Sequence, residues 1–469
     1  MMFKSTTLQL SQIFVFSCLL AACGGSDNND SENEGSSSRS SSSSSASSDN
    51  PTEEPAFDLS LLPEVPTPTA PDTLPDGENT YFVSPDGSDD LAGTEADPFA
   101  TLSHATRQAQ PGDVIVMRGG EYFQTDTIQI RAPDSAHGTE EAPIIVIAHP
   151  GETPILDFEG QPLGNHGVRL DTDYWHLIGL TIRNAGHNGL GLEGSHNRLE
   201  RLVVHDSYDT GINVGGLAAH NLIMNCDSYR NFDYAEERVG QDADGFGAKG
   251  NRLGEGNVFY GNRAWQNSDD GYDFWEAENT IVLYNNWAFN NGDPDAFGNP
   301  SNFDGNGNGF KVGRSEEDRN SHILYRNLAF DNRGPFDDSK GFDQNSNRGK
   351  LLVAHNTAYN NGRNFTFPTG DHIIRNNASL DGSNSVLNRS DQVNDNSWQL
   401  DGDLSASDFI SLDTQAAYGE RQADGSLPDI DLLKPAPDSI LIDAGFDLEV
   451  PHEGEAPDIG AYERAAEGN

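Results

Sequence analysis

Cysteine, positive charge and long apolar runs are all in short supply in this chain. Its 469 residues include three cysteines, Cys18, Cys23 and Cys226, too few for a disulfide framework, and no Cys/His spacing suits structural zinc. Stability therefore has to come from a packed core, which a chain of this length can supply. Only 28 Lys and Arg stand against 75 Asp and Glu, a net charge of −47. This excludes nucleic acid as a natural partner, because phosphate binding needs basic surface. The apolar stretch Leu8 to Leu20 is too short to span a bilayer. The surplus of carboxylates leaves two readings, a solvated acidic surface or sites for hard cations.

What is there begins with Lys4, that short apolar stretch and small residues after it, the pattern of an export signal. The string Leu20-Ala21-Ala22-Cys23-Gly24 resembles the lipobox of bacterial lipoproteins, in which the signal is cut before the cysteine and the thiol carries lipid. The resemblance implies a signal peptide over residues 1–22, lipidation of Cys23 and an outer-membrane anchor, since Gly24 stands where a retention signal has Asp. Cys226 is then the only thiol left. Residues 24–75, with the serine run 36–48, many acids and a Pro-rich end, read as a tether. Such a segment, if flexible, reaches roughly 40 Å.

A catalytic domain is expected over 76–469. Thr101 to Gln110 places Leu102, Ala105 and Ala109 on one helical face, and Pro111-Gly112 ends it. This short helix reads as a cap over the first open edge of a strand array. From about 176 to 380 a motif recurs: Asn, any residue, Ala, then Asn or Asp two or three positions on. Its asparagines are Asn262, Asn286, Asn327, Asn356 and Asn376, with a degenerate copy at Asn225-Cys226-Asp227, at spacings of 37, 24, 41, 29 and 20. Short Val/Ile/Leu runs at such periods predict an all-β solenoid whose stacked asparagines hydrogen-bond from coil to coil. A second column, Gly followed by an apolar residue, recurs at Gly189, Gly211, Gly245, Gly271, Gly309 and Gly341. Stacking it puts Asp244 beside Asp270, and Asp273 beside Lys311 beside Asp343. The two longest periods deliver Asp244 and Lys311, and extra length on a regular scaffold is where function sits.

The run Ser268-Asp269-Asp270-Gly271-Tyr272-Asp273, with Asp242 and Asp244 one coil earlier, offers up to five carboxylates. Crowded and unpaired, they would take up protons. A divalent cation resolves the conflict, and Ca²⁺, with about 6–8 oxygen ligands in loose geometry, suits them better than Mg²⁺. Asp304-Gly305-Asn306-Gly307-Asn308-Gly309 mimics an EF-hand opening, but Ser315 stands where a bidentate Glu is required, so it reads as a Gly-rich turn presenting Lys311. On spacing alone Lys311 is either an ion-pair partner of Asp273 or a general base. Lys340, Arg348 and Arg314 are candidates for binding substrate carboxylates.

The strings DADGFGAK (242–249), GEGNVFYGNRAWQNSDDGYDFW (254–275), GNGFKVG (307–313) and GFDQNSNRG (341–349), with the closing Pro457 to Tyr462, resemble polysaccharide lyase family nine, which contains pectate lyases. The resemblance implies a right-handed parallel β-helix, calcium held by Asp244, Asp269, Asp270 and Asp273, and Lys311 as the base of a β-elimination on polygalacturonate. The partners implied are pectin polymer and an outer membrane, with the enzyme a monomer. Three rivals remain at this point: a rhamnogalacturonan lyase, a hydrolase using paired carboxylates on the same solenoid, and a carbohydrate-binding surface protein without catalysis.

Overall fold

The computed structural model describes residues 62 and 64–464, apart from 236, 315–320, 336–337 and 388–391. The signal segment, Cys23 and most of the tether lie outside the described residues. Among the described residues the chain winds through three parallel sheets of 12, 10 and 10 strands. One coil runs Leu190–Leu192, Arg198–Glu200 and Val203–His205, and the next begins at Ile212–Val214. The strands are short because each is closed by a turn. At the corner leaving the 12-stranded sheet, Arg201, Asn225, Asn285, Arg326, His355 and Asn376 all adopt φ between 52° and 57°.

The residue after that corner carries the expected ladder. Cys226 N–H donates to Asn262 Oδ1, Asn262 N–H to Asn286, Asn286 to Asn327, Asn327 to Asn356, Asn356 to Asn377 and Asn377 to Asn396, all at 2.8–3.0 Å. Here the expected register needs a correction at both ends, because the ladder passes through Cys226 and Asn377 rather than Asn225 and Asn376. Ala264, Ala288, Ala329 and Ala358 pair in line, but the next rung presents Ser379. Asn225 and Asn376 are instead the left-handed corner residues, a role that asparagine also fills well. The second Asn of the motif builds its own ladder through Asn231, Asn267, Asn291, Asn332 and Asn361. Each amide satisfies turn groups that water cannot reach.

The Gly-apolar column stacks as expected. Phe246, Tyr272, Phe310, Phe342 and Phe365 lie rung on rung inside the solenoid, with ring centroids 4.6–4.9 Å apart. A Cβ on Gly271 would sit 2.7 Å from the Gly309 carbonyl oxygen and 2.9 Å from Ala288 Cβ, so only glycine allows this approach. The capping helix spans Leu102–Gln108, N-capped by Thr101, and buries Leu102, Ala105 and Thr106.

Two segments cover the outside of the solenoid. The stretch read as the end of the tether is docked: Thr69 donates its N–H and hydroxyl to Glu200 at 2.8 and 2.7 Å, and Arg201 donates to the Thr69 carbonyl at 2.6 Å. Leu74 packs on Val114, Val116, Ile147 and Ile178. Composition hid this because backbone groups, a single hydroxyl and one leucine do the docking. Beyond residue 396 the chain runs back over the third sheet, laying Leu432, Leu433, Leu441 and Ile459 on Trp287, Phe289, Leu328 and Phe330.

The ladder makes a stability prediction. Asn286→Ala strands the Asn262 N–H and the Phe259 carbonyl, both of which the Asn286 amide satisfies. Two buried groups left unpaired cost about 2–4 kcal/mol in total. The denaturant midpoint should fall accordingly, and an unchanged midpoint would show that the ladder adds nothing to stability.

Candidate active site

The outward column of the site sheet reads Asn213, Gly247, Asp273, Lys311, Asp343 and Thr366 from rung to rung. The Asp273, Lys311, Asp343 order is the one expected from the glycine column. Asp244 and Asp270 sit at the turns that enter this sheet, and the Asp270 N–H donates to Asp244 Oδ1 at 3.1 Å. Asp244, Asp270 and Asp273 are all buried, and each turns one carboxylate oxygen toward a common point, these atoms lying within 4.8 Å of one another. Asp269 is buried beside them but outside that trio, its Oδ1 accepting from the Asn306 N–H at 2.6 Å. Asp242 is exposed and stays out of the cluster.

Lys311 is 7% exposed, with Nζ 2.8 Å from Asp270 Oδ2 and 3.5 Å from Asp273 Oδ2. Asp270, not the expected Asp273, is its nearer partner. Lys249, whose role sequence reasoning missed although it ends the DADGFGAK string, meets Asp244 Oδ2 at 2.6 Å and Asp273 Oδ2 at 3.3 Å. Two ammonium groups thus flank the acids from neighbouring rungs. Burial alone would lower the Lys311 pKa, but Asp270, Asp273, Asp269 and Asp244 outweigh it and hold the pKa well above the usual lysine value. Burial, with Asp273 and Asp270 nearby, pushes Asp244 up to about 8 against the opposing pull of Lys249. Burial and Asp270 push Asp269 up as well.

Four carboxyls against two ammonium groups leave an excess of negative charge in a buried place, and protons carry part of it. Asp273 Oδ1 is buried with no hydrogen-bond partner. A hard divalent cation with oxygen ligands fits this donor set: Asp244, Asp270 and Asp273 would hold it, and its charge would replace the protons on the acids.

The Gly-rich turn serves the acids directly. Asn308 donates its N–H and side-chain amide to Asp270 Oδ1 at 2.9 and 2.8 Å. A Cβ on Gly305 would lie 1.9 Å from the Ser268 carbonyl oxygen, so the turn could not approach with a larger residue. The inserts of the two long periods meet here, where Val239 bridges to Phe303 and Arg238 pairs with Asp304.

The three candidate substrate cations divide. Lys340 and Arg348 line one polar opening of about 320 Å³ together with Arg363, a residue the sequence reading did not single out. Lys340 Nζ is 3.3 Å from Asp343, the column neighbour of Lys311. Arg314 instead pairs with Glu276 and lies over the Trp275 ring at 4.7 Å, while Lys311 Nζ is 5.5 Å from the same ring. Trp275 is 40% exposed beside the candidate base.

Comparison with known proteins agrees with this geometry. Residues 81–377 match the family model described as Pel9A-like, right-handed β-helix region. The chain is 38% identical over 400 residues to pectate lyase L of Dickeya chrysanthemi, covering 82% of this chain and 90% of that one. The crystal structure of pectate lyase Pel9A matches with a TM-score of 0.76 at 37% identity, covering 83% of this chain and 97% of that one. A rhamnogalacturonan lyase matches with a TM-score of 0.67 at 28% identity, covering 77% and 97%. On the family match and these relatives, the chain belongs to the Pel9A-like right-handed β-helix family of polysaccharide lyases.

Proposed function

We propose that this protein is a calcium-dependent pectate lyase that cleaves polygalacturonate by β-elimination with Lys311 as the base. The observation that carries the reading is the single cluster in which a buried lysine lies 2.8 Å from one of three converging carboxylates. A pair of hydrolytic carboxylates offers no reason for that lysine, and a surface adhesin offers none for burying the acids. Relatives named pectate lyase support the substrate class.

In this reading Asp244, Asp270 and Asp273 hold calcium, with Asp269 beside them. When bound, the cation supplies positive charge opposite the uronate carboxylate and offsets the charge that grows as C5 loses its proton. Neutral Lys311 takes the C5 proton. The electron pair of the C5–H bond forms the C4–C5 double bond as the C4–O bond breaks; the departing oxygen takes a proton from solvent and Lys311 later returns its proton there, leaving an unsaturated uronate and a new chain end. Lys340, Arg348 and Arg363 hold carboxylates of neighbouring sugars.

Lys311→Ala should lower kcat at least about 100-fold while polymer and calcium still bind. A folded variant that forms unsaturated product at near wild-type rate removes Lys311 from the mechanism. Because the amine must be neutral to act, the wild-type rate should climb as pH rises toward the alkaline range.

Chelation should abolish the ultraviolet absorbance gained on polygalacturonate, and added Ca²⁺ should restore it. Asp270→Asn should raise the calcium concentration needed for half-maximal rate. Full activity after exhaustive chelation ends the calcium reading. Running the same assay on rhamnogalacturonan separates the two lyase chemistries.

The sequence also supports export and anchoring through Cys23 in the outer membrane. Cys23→Ser should release active enzyme from membranes, and retention of the variant there would refute the anchor.

A further inference from the structure

Beside the acid cluster, the same two inserts build a second opening of different character. It measures about 680 Å³ and is lined by Leu163, Tyr208, Phe232, Tyr234 and Phe297 among others. Phe297 comes from the insert before Lys311 and Phe232 from the insert before Asp244, and their rings stack at 4.5 Å. Tyr234 packs edge-on against Tyr208 at 5.0 Å and tilts over Phe232 at 6.1 Å. The aromatic wall faces solvent, with Tyr234 59% and Leu163 49% exposed. Large apolar side chains gathered at an open cavity mark a binding surface.

The opening is next to the chemistry. Two residues after Tyr208 the Thr210 hydroxyl donates to Asp244 Oδ2 at 3.1 Å, and Phe232 precedes Asp233, which accepts from Ser268 Oγ at 3.1 Å. The turns of Phe232, Tyr208, Asn184 and Leu163 enter the site sheet one, two, three and four rungs before the strand of Asp273, and that of Phe297 enters one rung after it, so the opening runs roughly 5–20 Å along the solenoid at ~4.8 Å per rung. A polymer lying over the acid cluster reaches it within a few sugar units.

Charge says what fits. Among the described lining residues Arg230 is the only cation, and its Nε is bound to Asp206 at 3.0 Å, while Asp206 also meets His205 at 2.6 Å. Glu159 adds another acid. This is the reverse of the opening lined by Lys340, Arg348 and Arg363. A uronate carboxylate is repelled here, whereas the C–H face of an uncharged pyranose packs well on exposed rings.

We propose that the Tyr208, Phe232, Tyr234 and Phe297 opening is a subsite for an uncharged sugar unit of the pectic chain bound in the groove. The proposal rests on the pectate lyase reading for its polymer, but binding tests it apart from turnover. Affinity electrophoresis with Ca²⁺ present and every chain, wild type included, carrying Lys311→Ala to slow cleavage, with polygalacturonate, methyl-esterified galacturonan or rhamnogalacturonan in the gel, isolates the contact. Tyr234→Ala and Leu163→Ala alter exposed side chains, and circular dichroism checks that each variant is folded. Both variants should bind at least one of the two polymers with uncharged units about fivefold to tenfold more weakly than wild type, with affinity for polygalacturonate unchanged. Loss on the esterified polymer alone identifies the unit as an ester, and loss on rhamnogalacturonan alone identifies it as rhamnose. Unchanged binding to all three polymers, or an equal loss on all three, overturns the subsite. If no polymer yields unsaturated product, the lyase reading falls while the gels still report on this opening.

Discussion

Parallel stacking at one rung spacing governs everything else in this molecule. In a solenoid of parallel strands, each side chain has its counterpart ~4.8 Å above and below. A residue type that suits its own copy is therefore rewarded, and one that does not is punished at every rung. Asparagine carries both a donor and an acceptor, so Asn262, Asn286, Asn327 and Asn356 can each give to one neighbour and take from the other. The aromatic column from Phe246 to Phe365 gains in the same way from stacked rings. Aspartate has no such virtue, and stacked carboxylates repel.

The site is the place where that rule is broken and then repaired. Asp244 above Asp270, with Asp273 one strand further in, is the costly arrangement, and it is buried. The repair is local and leaves only Asp273 Oδ1 among these acids buried without a partner: lysines on the two flanking rungs, amides of a Gly-rich turn, and the Thr210 hydroxyl at 3.1 Å from Asp244. These partners and the acids together come from four successive coils, so the solenoid's regularity fixes their relative positions without a dedicated scaffold. The inserts that carry Asp244 and Lys311 meet through Val239 and Phe303, which ties the two coils together.

Periodicity decided how much of this could be read from sequence. Both columns were legible because repeated residues at repeated intervals leave few alternative registers, and the column placed Asp273, Lys311 and Asp343 on adjacent rungs. The one-residue slip at Asn377 was not legible, because Asn376-Asn377-Ala378 matches the motif and Asn377-Ala378-Ser379 does not, yet the strand pairing of Thr357 with Ala378 puts Asn377 on the ladder. Lys249 escaped notice for a different reason. It lies beyond the strand Phe246–Ala248 and reaches back toward Asp244, a contact that no period encodes. The docked stretch around Thr69 and the return of the C-terminal segment over the third sheet are single events without a repeat, and single events leave no pattern.

The charge balance explains why so acidic a chain suits a polyanion. Three of the cations singled out around the site are already committed, Lys311 to Asp270, Lys340 to Asp343 and Arg314 to Glu276. A substrate carboxylate that engages one of them must displace an acid of the protein or share the cation with it. Attraction from free positive surface therefore cannot supply much affinity, and like-charge repulsion from the rest of the surface works against it. On the proposed reading, a divalent cation among Asp244, Asp270 and Asp273 changes this exchange, because it neutralises the acids that otherwise hold the lysines. Lys311 is then released from its ion pairs in the same event that brings positive charge to the uronate. Metal binding and the availability of the base become one equilibrium, set by the same buried carboxylates.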